Sequence, residues 1–306
     1  MKRGINIGDH FENTYDTTVP FENPVKEWYY PLIKKLGFDH VRIPVRWSIW
    51  TDDDNDYKIN EEFMVEVEKT VKRFLDEGLE VILNVHHFRE AMDKPRENAE
   101  KLFAIWEQVG ARFAGYSDAL IFEVMNEPTW RTTAEEWNEV QAEAVEVIRK
   151  TNPTRRIEVC SVDYSGLVAL DRLEIPKDDN LIATFHFYDP FPFTHQGAAW
   201  SPTMKDVSGI RWEGTPDDEE FIEARIIAHA KNFSRTHGNI EMNLGEFGAY
   251  GKTALLEDRV KWTRCVRKAC EKLGYSWTYW EFNRGFGIAD TEGNVNEALV
   301  EALLGE

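Results

Sequence analysis

The sequence predicts a single eight-stranded (β/α)8 barrel, of the TIM type. Three observations carry that prediction. Apolar runs of strand length recur eight times, amphipathic stretches with helical spacing lie between them, and no linker or compositional break divides the chain. The strand runs are 4–7, 40–44, 80–85, 120–125, 156–161, 181–186, 240–245 and 275–279. Most are apolar on both faces, as the strands of a parallel sheet covered by helices must be.

The helical stretches follow in order. Residues 26–36 stop at Gly37. Residues 61–77 place Phe63, Val67, Val71, Phe74 and Leu75 at helical spacing and stop at Gly78, a helix terminator. Residues 99–114 run up to Gly115. Residues 134–150 are opened by Thr132-Thr133-Ala134-Glu135, the pattern of a capped helix start. Residues 218–236 end before Gly238, and 255–273 end at Gly274. Helix-to-strand turns are tight, whereas the segments after the strands are longer and rich in aromatics, His and Pro. In a barrel those post-strand loops build the functional face. A doubly wound open sheet is the rival architecture, but no Gly-x-Gly-x-x-Gly follows the first strand. The reading is one domain over residues 1–306.

Bulk chemistry narrows the function classes. Hydrophobic residues at 42% can build a large core, and 30% charged residues suit a soluble protein. No apolar run of about 18 residues exists, so no membrane span or membrane partner is expected. A net charge of −19 argues against nucleic acid, whose phosphates need a basic surface, and leaves neutral substrates open. Cys160, Cys265 and Cys270 are too few and odd in number for a disulfide framework, and are read as buried free thiols. The segment Met1-Lys2-Arg3-Gly4 runs straight into a strand with no apolar leader core. The protein is expected in the cytoplasm, or exported by a leader absent from this sequence.

Polar and ionisable groups gather where the runs end. Asn6, Asp9 and Glu12 follow the first; Arg42, Arg46 and Trp47 the second; His86 and His87 the third. Asn126 and Glu127 close the fourth, Asp163 and Tyr164 the fifth. His186, Tyr188 and then His195 follow the sixth, Glu246 the seventh, and Trp280 and Glu281 the eighth. Such groups are costly to collect at a barrel mouth unless something uses them. Glu127, in Met125-Asn126-Glu127-Pro128, and Glu246, in Leu244-Gly245-Glu246-Phe247-Gly248, would bring two carboxylates from two strand ends to one pocket. That is the minimum equipment for cleaving a glycosidic bond.

Taken together, Asn126-Glu127-Pro128 and Gly245-Glu246-Phe247-Gly248 make the sequence resemble glycoside hydrolase family 5, the retaining cellulases and mannanases. The likeness extends through His40-Val41-Arg42-Ile43-Pro44, Asn84-Val85-His86-His87, Thr184-Phe185-His186-Phe187-Tyr188 and Tyr279-Trp280-Glu281-Phe282. Phe193-Thr194-His195-Gln196-Gly197-Ala198 is similar to compact bacterial endoglucanases that often also cut mannan. The resemblance implies Glu127 as general acid/base, Glu246 as nucleophile and Trp280 as the platform under the sugar. It also implies substrate contacts from Asp9, Glu12, His87, Tyr164, His195 and Trp200. Relatives often carry Asn where Asp9 stands, and a carboxylate there can only accept hydrogen bonds.

The chemistry assigns supporting parts. Arg42 is placed to hold Glu246 ionised, with Tyr188 donating to it. Asn126 should bind the sugar 2-hydroxyl. His186 is expected beside Glu127, and His86 along the cleavage subsite. Glu281 is a rival nucleophile, better read as a sugar-hydroxyl ligand or as a salt-bridge partner of Arg284. Glu123 is expected to face away from the site. Trp47, Trp50, Trp130, Trp200 and Trp212 fall in post-strand loops, where indoles either pack or stack on sugar rings. Trp28, Trp106, Trp137 and Trp262 belong to helix-like segments and are expected in the core.

A metal-dependent hydrolase or isomerase would need several ligands converging within ~2.0–2.2 Å of an ion. No His-x-His follows the first strand, and adjacent His86 and His87 should point to opposite faces. No metal or other cofactor is expected. An inactive sugar-binding barrel is disfavoured by the presence of both glutamates. The expected partner is a β-linked polysaccharide or oligosaccharide, cut at internal β-1,4 linkages of glucan, with mannan, glucomannan or xyloglucan as alternatives, by a monomeric enzyme.

Overall fold

A computed structural model describes residues 1–13 and 23–305 of the chain. Eight of its strands build the barrel: β1 Arg3–Asn6, β2 His40–Ile43, β3 Glu80–Asn84, β4 Leu120–Glu123, β5 Ile157–Cys160, β6 Leu181–His186, β7 Glu241–Phe247 and β8 Ser276–Tyr279. They form a closed barrel in chain order. Every ladder of the barrel is parallel, and β1 closes the ring against β8 through Ile5 opposite Tyr279. Each predicted run becomes a strand, with ends moved by a residue or two.

The helices are α1 Tyr29–Leu36, α2 Glu61–Asp76, α3 Ala99–Phe113, α4 Ala134–Arg149, α5 Pro216–Ile226, α6 Leu256–Lys272 and α7 Glu297–Leu304. Four of them, α2, α4, α5 and α7, start on side-chain caps. Asn60 accepts from Phe63 N at 2.9 Å and Thr133 from Glu136 N at 3.2 Å, each satisfying a donor that the helix leaves orphaned. α5 opens on a reciprocal Thr215–Asp218 capping box and runs on through a π-turn into Asn232–Thr236. α7 spans eight residues, too short for periodicity to announce it. Between β5 and β6 the crossover holds a 3-10 helix at Leu167–Arg172 instead of a long α-helix.

The barrel has two cores of opposite character. Outside the strands, a continuous apolar layer packs against the helices. Inside, Ile82, Ile121 and Ile182 pack together as a separate apolar cluster. Beyond them the interior is polar. Arg42 on β2 reaches Glu123 on β4, Glu158 on β5 bonds Asn243 on β7, and His40 on β2 bonds Thr278 on β8. These pairs come from strands that are not neighbours, so they meet only through the barrel interior.

Buried indoles tie the outer layer to the strand ends. Trp47, Trp106 and Trp137 donate Nε1–H to the carbonyls of Asn84, Val124 and Cys160 at 2.9, 2.9 and 2.8 Å. Those carbonyls lie at the ends of β3, β4 and β5, where ladder partners run out. Burying one indole is worth about 4–6 kcal/mol as an upper estimate from its area. The same side chain therefore supplies packing energy and anchors the strand end that carries the site.

Candidate active site

The site is built around Arg42, which is fully buried on β2. All five of its N–H donors are used. Nε and Nη2 grip Glu123 at 2.6 and 2.8 Å, and Nη2 also donates to Asn126 Oδ1 at 2.8 Å. Nη1 donates to Asn6 Oδ1 at 2.9 Å and to Glu246 Oε1 at 2.8 Å. A guanidinium so saturated has one orientation, and it fixes two site residues on two strands at once.

Glu246 owes its direction to a bulge. Along β7, Asn243 points into the barrel, so strict alternation would turn Glu246 outward. The registers show one extra residue there. β6 pairs Phe185 with Leu244 and then His186 with Glu246, and β8 pairs Trp277 with Leu244 and then Tyr279 with Phe247. The added residue re-aims Glu246 into the site, as bulges beside active sites do. A side chain at Gly245 would press on Thr184 Oγ1 at 2.7 Å, so a glycine suits the kink. Tyr188 Oη then donates to Glu246 Oε2 at 2.9 Å. Burial raises the Tyr188 hydroxyl well above its usual range, which keeps that donor protonated.

Glu127 follows β4 with φ +50°, a turn that brings its side chain over the mouth. His186 Nδ1 lies 2.7 Å from Glu127 Oε1. One oxygen of each glutamate and a ring nitrogen of His186 all lie within 4.8 Å of one another. Burial pushes the Glu127 carboxyl up to about 7, with Arg42 acting against it. Burial also raises Glu246, opposed by His186 and then by Arg42, whose guanidinium touches it directly. Burial lowers His186, so the ring is neutral.

These three groups could in principle hold a cation, but their spacing fits a hydrogen-bonded acid pair better. Two ligands on one tetrahedral ion with bonds of ~2.0–2.1 Å would stand about 3.3 Å apart. Glu127 and His186 are at 2.7 Å, and a guanidinium already neutralises Glu246.

Above them opens a cleft of about 500 Å³. It gathers Asp9, Glu12, His86, His87, Glu127, Tyr188, His195, Trp200, Glu246, Trp280 and Glu281 from the expected set. Arg42, Asn126 and His186 are buried against its floor through the bonds given above. Trp280 lies parallel to His86, rings 5.9 Å apart. Glu12 accepts from the backbone of Asp9 and from His10 N, and burial pushes its carboxyl up to about 8. Burial also raises Glu281 well above the usual range, so the surroundings of both acids favour the protonated form, which can donate to hydroxyls.

Several expectations change. Tyr164 does not line the cleft; it is 47% exposed on the loop after β5. Glu123 does not face away: it is the main partner of Arg42, since side chains of successive even steps on β4 enter the barrel. His86 and His87 do not diverge but share the cleft, rings 4.4 Å apart, because β3 has ended and His87 sits at φ +49°. Arg284 pairs with Asp9 at 3.2 Å rather than with Glu281. Trp47, Trp50 and Trp212 are buried, leaving Trp130 and Trp200 as the exposed loop indoles, while Trp28 is only half-buried. Cys265 is half-buried, unlike Cys160 and Cys270. Sequence reasoning left out Arg89, Tyr250 and Phe286, which also line the cleft. Tyr250 lies three residues past β7 and Phe286 seven past β8, so both stand in post-strand loops, where position could have marked them.

Known proteins resemble this chain in sequence and in fold. The cellulase family, glycosyl hydrolase family 5, matches residues 10–285. Endoglucanase H of Acetivibrio thermocellus is 33% identical over 95% of this chain, which spans only 30% of that longer protein. The crystal structure of the cellulose synthase subunit Z of Clostridioides difficile superposes with a TM-score of 0.94 at 39% identity, covering 99% of both chains. Thermotoga maritima Cel5A, solved in complex with mannotriose, gives a TM-score of 0.92 at 39% identity over 99% of this chain and 97% of that one.

Proposed function

The chain belongs to the cellulase family, glycosyl hydrolase family 5, and on that premise we propose that it is a retaining endo-β-1,4-glucanase with Glu127 as general acid/base and Glu246 as nucleophile. The observation that carries this reading is the spacing of the two carboxylates, with oxygens within 4.8 Å. Retaining hydrolases hold their carboxyls ~5–5.5 Å apart, whereas inverting ones leave ~6.5–9.5 Å for a water between them.

In the first step a Glu246 oxygen attacks the anomeric carbon. Glu127 gives its proton to the glycosidic oxygen, the C–O bond breaks, and the leaving chain departs as an alcohol. Glu127 is then a carboxylate. In the second step it takes a proton from water, whose oxygen displaces Glu246 from the anomeric carbon. Arg42 and Tyr188 disperse the charge that returns to Glu246. Asn126 has its oxygen held by Arg42, and its Nδ2 has no hydrogen-bond partner among the described residues, so it serves the 2-hydroxyl. His186, neutral, donates to Glu127 Oε1 and leaves the transferable proton on the other oxygen. Asp9, Glu12, His87, His195, Trp200, Trp280 and Glu281 bind the sugar chain. Residues 1–306 act as one catalytic domain and as a monomer.

A second substrate reading is favoured by the mannotriose complex of the Thermotoga relative: the same site would also cut β-1,4-mannan or glucomannan. The test is a panel of carboxymethylcellulose, barley β-glucan, glucomannan and galactomannan, with product sizes and the anomer first released. We expect internal cutting of the glucans with retention, and a loss of about 10²–10⁴ in kcat for Glu127→Gln. Inactivity on all four, inverted product, or full turnover by Glu127→Gln would overturn the assignment.

A further inference from the structure

One buried acid takes no part in the double displacement. Glu158 is fully buried on β5, and its side chain enters the barrel, where Oε1 accepts from Asn243 Nδ2 at 2.9 Å. Its register partner on β4 is Glu123. Neighbouring strands lie about 4.8 Å apart, so two carboxyl side chains leave adjacent positions for the same interior. Both Glu123 oxygens accept from Arg42, whereas Glu158 Oε2 has no hydrogen-bond partner among the described residues.

Charge in this interior is already matched. Arg42 brings one positive charge from β2 and faces Glu123 on β4 and Glu246 on β7. A carboxylate at Glu158 would leave the cluster with two unmatched negative charges. The other titratable groups give no relief. β6 adds the neutral His186 ring, β2 the neutral His40 ring and β7 a further acid, Glu241. A buried charge without a partner is shed by taking up or losing a proton. Burial, and then the adjacent Glu123, push the Glu158 carboxyl upward, while Arg42 opposes them.

We propose that Glu158 is a positioning residue for the double displacement: as an uncharged acid it anchors β7 through Asn243 and leaves the Arg42 guanidinium committed to Glu123, Asn126 and Glu246. Asn243 stands three residues before Glu246, so the bond fixes β7 just ahead of its bulge. The proton on Glu158 removes the repulsion that a second carboxylate would bring to Glu123. The inference rests on the glycosidase reading above and adds a residue that acts on Glu246 from inside the barrel without touching substrate.

The test begins with Glu158→Gln, which keeps the shape and the Asn243 bond and cannot ionise. A carboxyl whose pKa rises on folding stabilises the protein below its ordinary value of 4.5, and that stability is lost as pH climbs toward the raised value. The Tm of Glu158→Gln minus that of the wild type should therefore grow by a few degrees between pH 5 and pH 9. Its kcat on an aryl β-cellobioside at pH 6 should stay within about twofold of the wild type. Glu158→Met, similar in length but apolar, breaks the Asn243 bond; kcat should fall about tenfold or more with KM nearly unchanged. Asn243→Ala removes the other end of that bond and gives the same split should Glu158→Met not fold. A Tm difference constant with pH, a kcat lost in Glu158→Gln, or a kcat kept when the bond is broken overturns the role of Glu158 alone. A wild type inactive on both the aryl β-cellobioside and barley β-glucan overturns the parent reading, and the positioning role with it.

Discussion

The two glutamates need different protonation states, and their neighbours differ accordingly. Glu127 keeps 22% of its side chain exposed and lies against the neutral His186 ring, and burial drives it to about 7. Glu246 is more enclosed, at 6% side-chain exposure, but receives a guanidinium N–H and a phenol, which favour its charged form. As an acid, Glu127 works only while protonated, so activity should disappear as pH rises through about 7. Glu246 works only while ionised, and its raised pKa puts the acid limb above the ordinary value of 4.5. The kcat/KM profile on an aryl β-cellobioside should therefore be a narrow bell. A plateau reaching pH 9 would contradict the assignment of Glu127. Most residues in this balance were legible from strand-end position alone. Glu123 was not, because its role depends on which side of a closed barrel β4 presents, a fact that alternation along one strand leaves undecided.

At the level of elements, the β7 bulge and the glycine that follows it set the geometry. Gly248 lies under the Trp280 carbonyl, and a Cβ there would collide with that backbone oxygen. Backbone cannot move aside as a flexible side chain would, so Gly248→Ala must displace the start of the β8 loop. We expect a lowered Tm together with a raised KM for glucan, since Trp280 and Glu281 leave their places in the cleft. An unchanged KM in a destabilised variant would show that the loop tolerates the shift. The strands themselves were readable because a buried parallel strand is apolar on both faces. The bulge was marked only by Gly245 inside the run, and the slip in register shows when β6 and β8 are laid beside it.

For the whole molecule the net charge of −19 has a consequence that no single residue carries. A neutral glucan feels little of that field, whereas anionic carboxymethylcellulose is repelled by it. Screening lengths fall from about 10 Å at 0.1 M salt to about 3 Å at 1 M. Raising salt over that range should lower KM for carboxymethylcellulose and leave KM for barley β-glucan nearly constant. Parallel changes on both substrates would mean that salt acts on the site rather than on the approach.

The sequence by itself determined the barrel and the identities at its mouth. Periodicity, apolar runs and glycine stops are local properties, and eight repeats of them leave one economical closure. The tertiary structure alone decided which of those mouth residues meet. It turned Glu246 inward through the bulge, put Glu123 behind Arg42, brought His86 and His87 to one wall and left Tyr164 and Trp130 beyond it. Each of these outcomes depends on register between strands or on one backbone dihedral. Such quantities are fixed by contacts between segments far apart in the chain, and no local pattern encodes them.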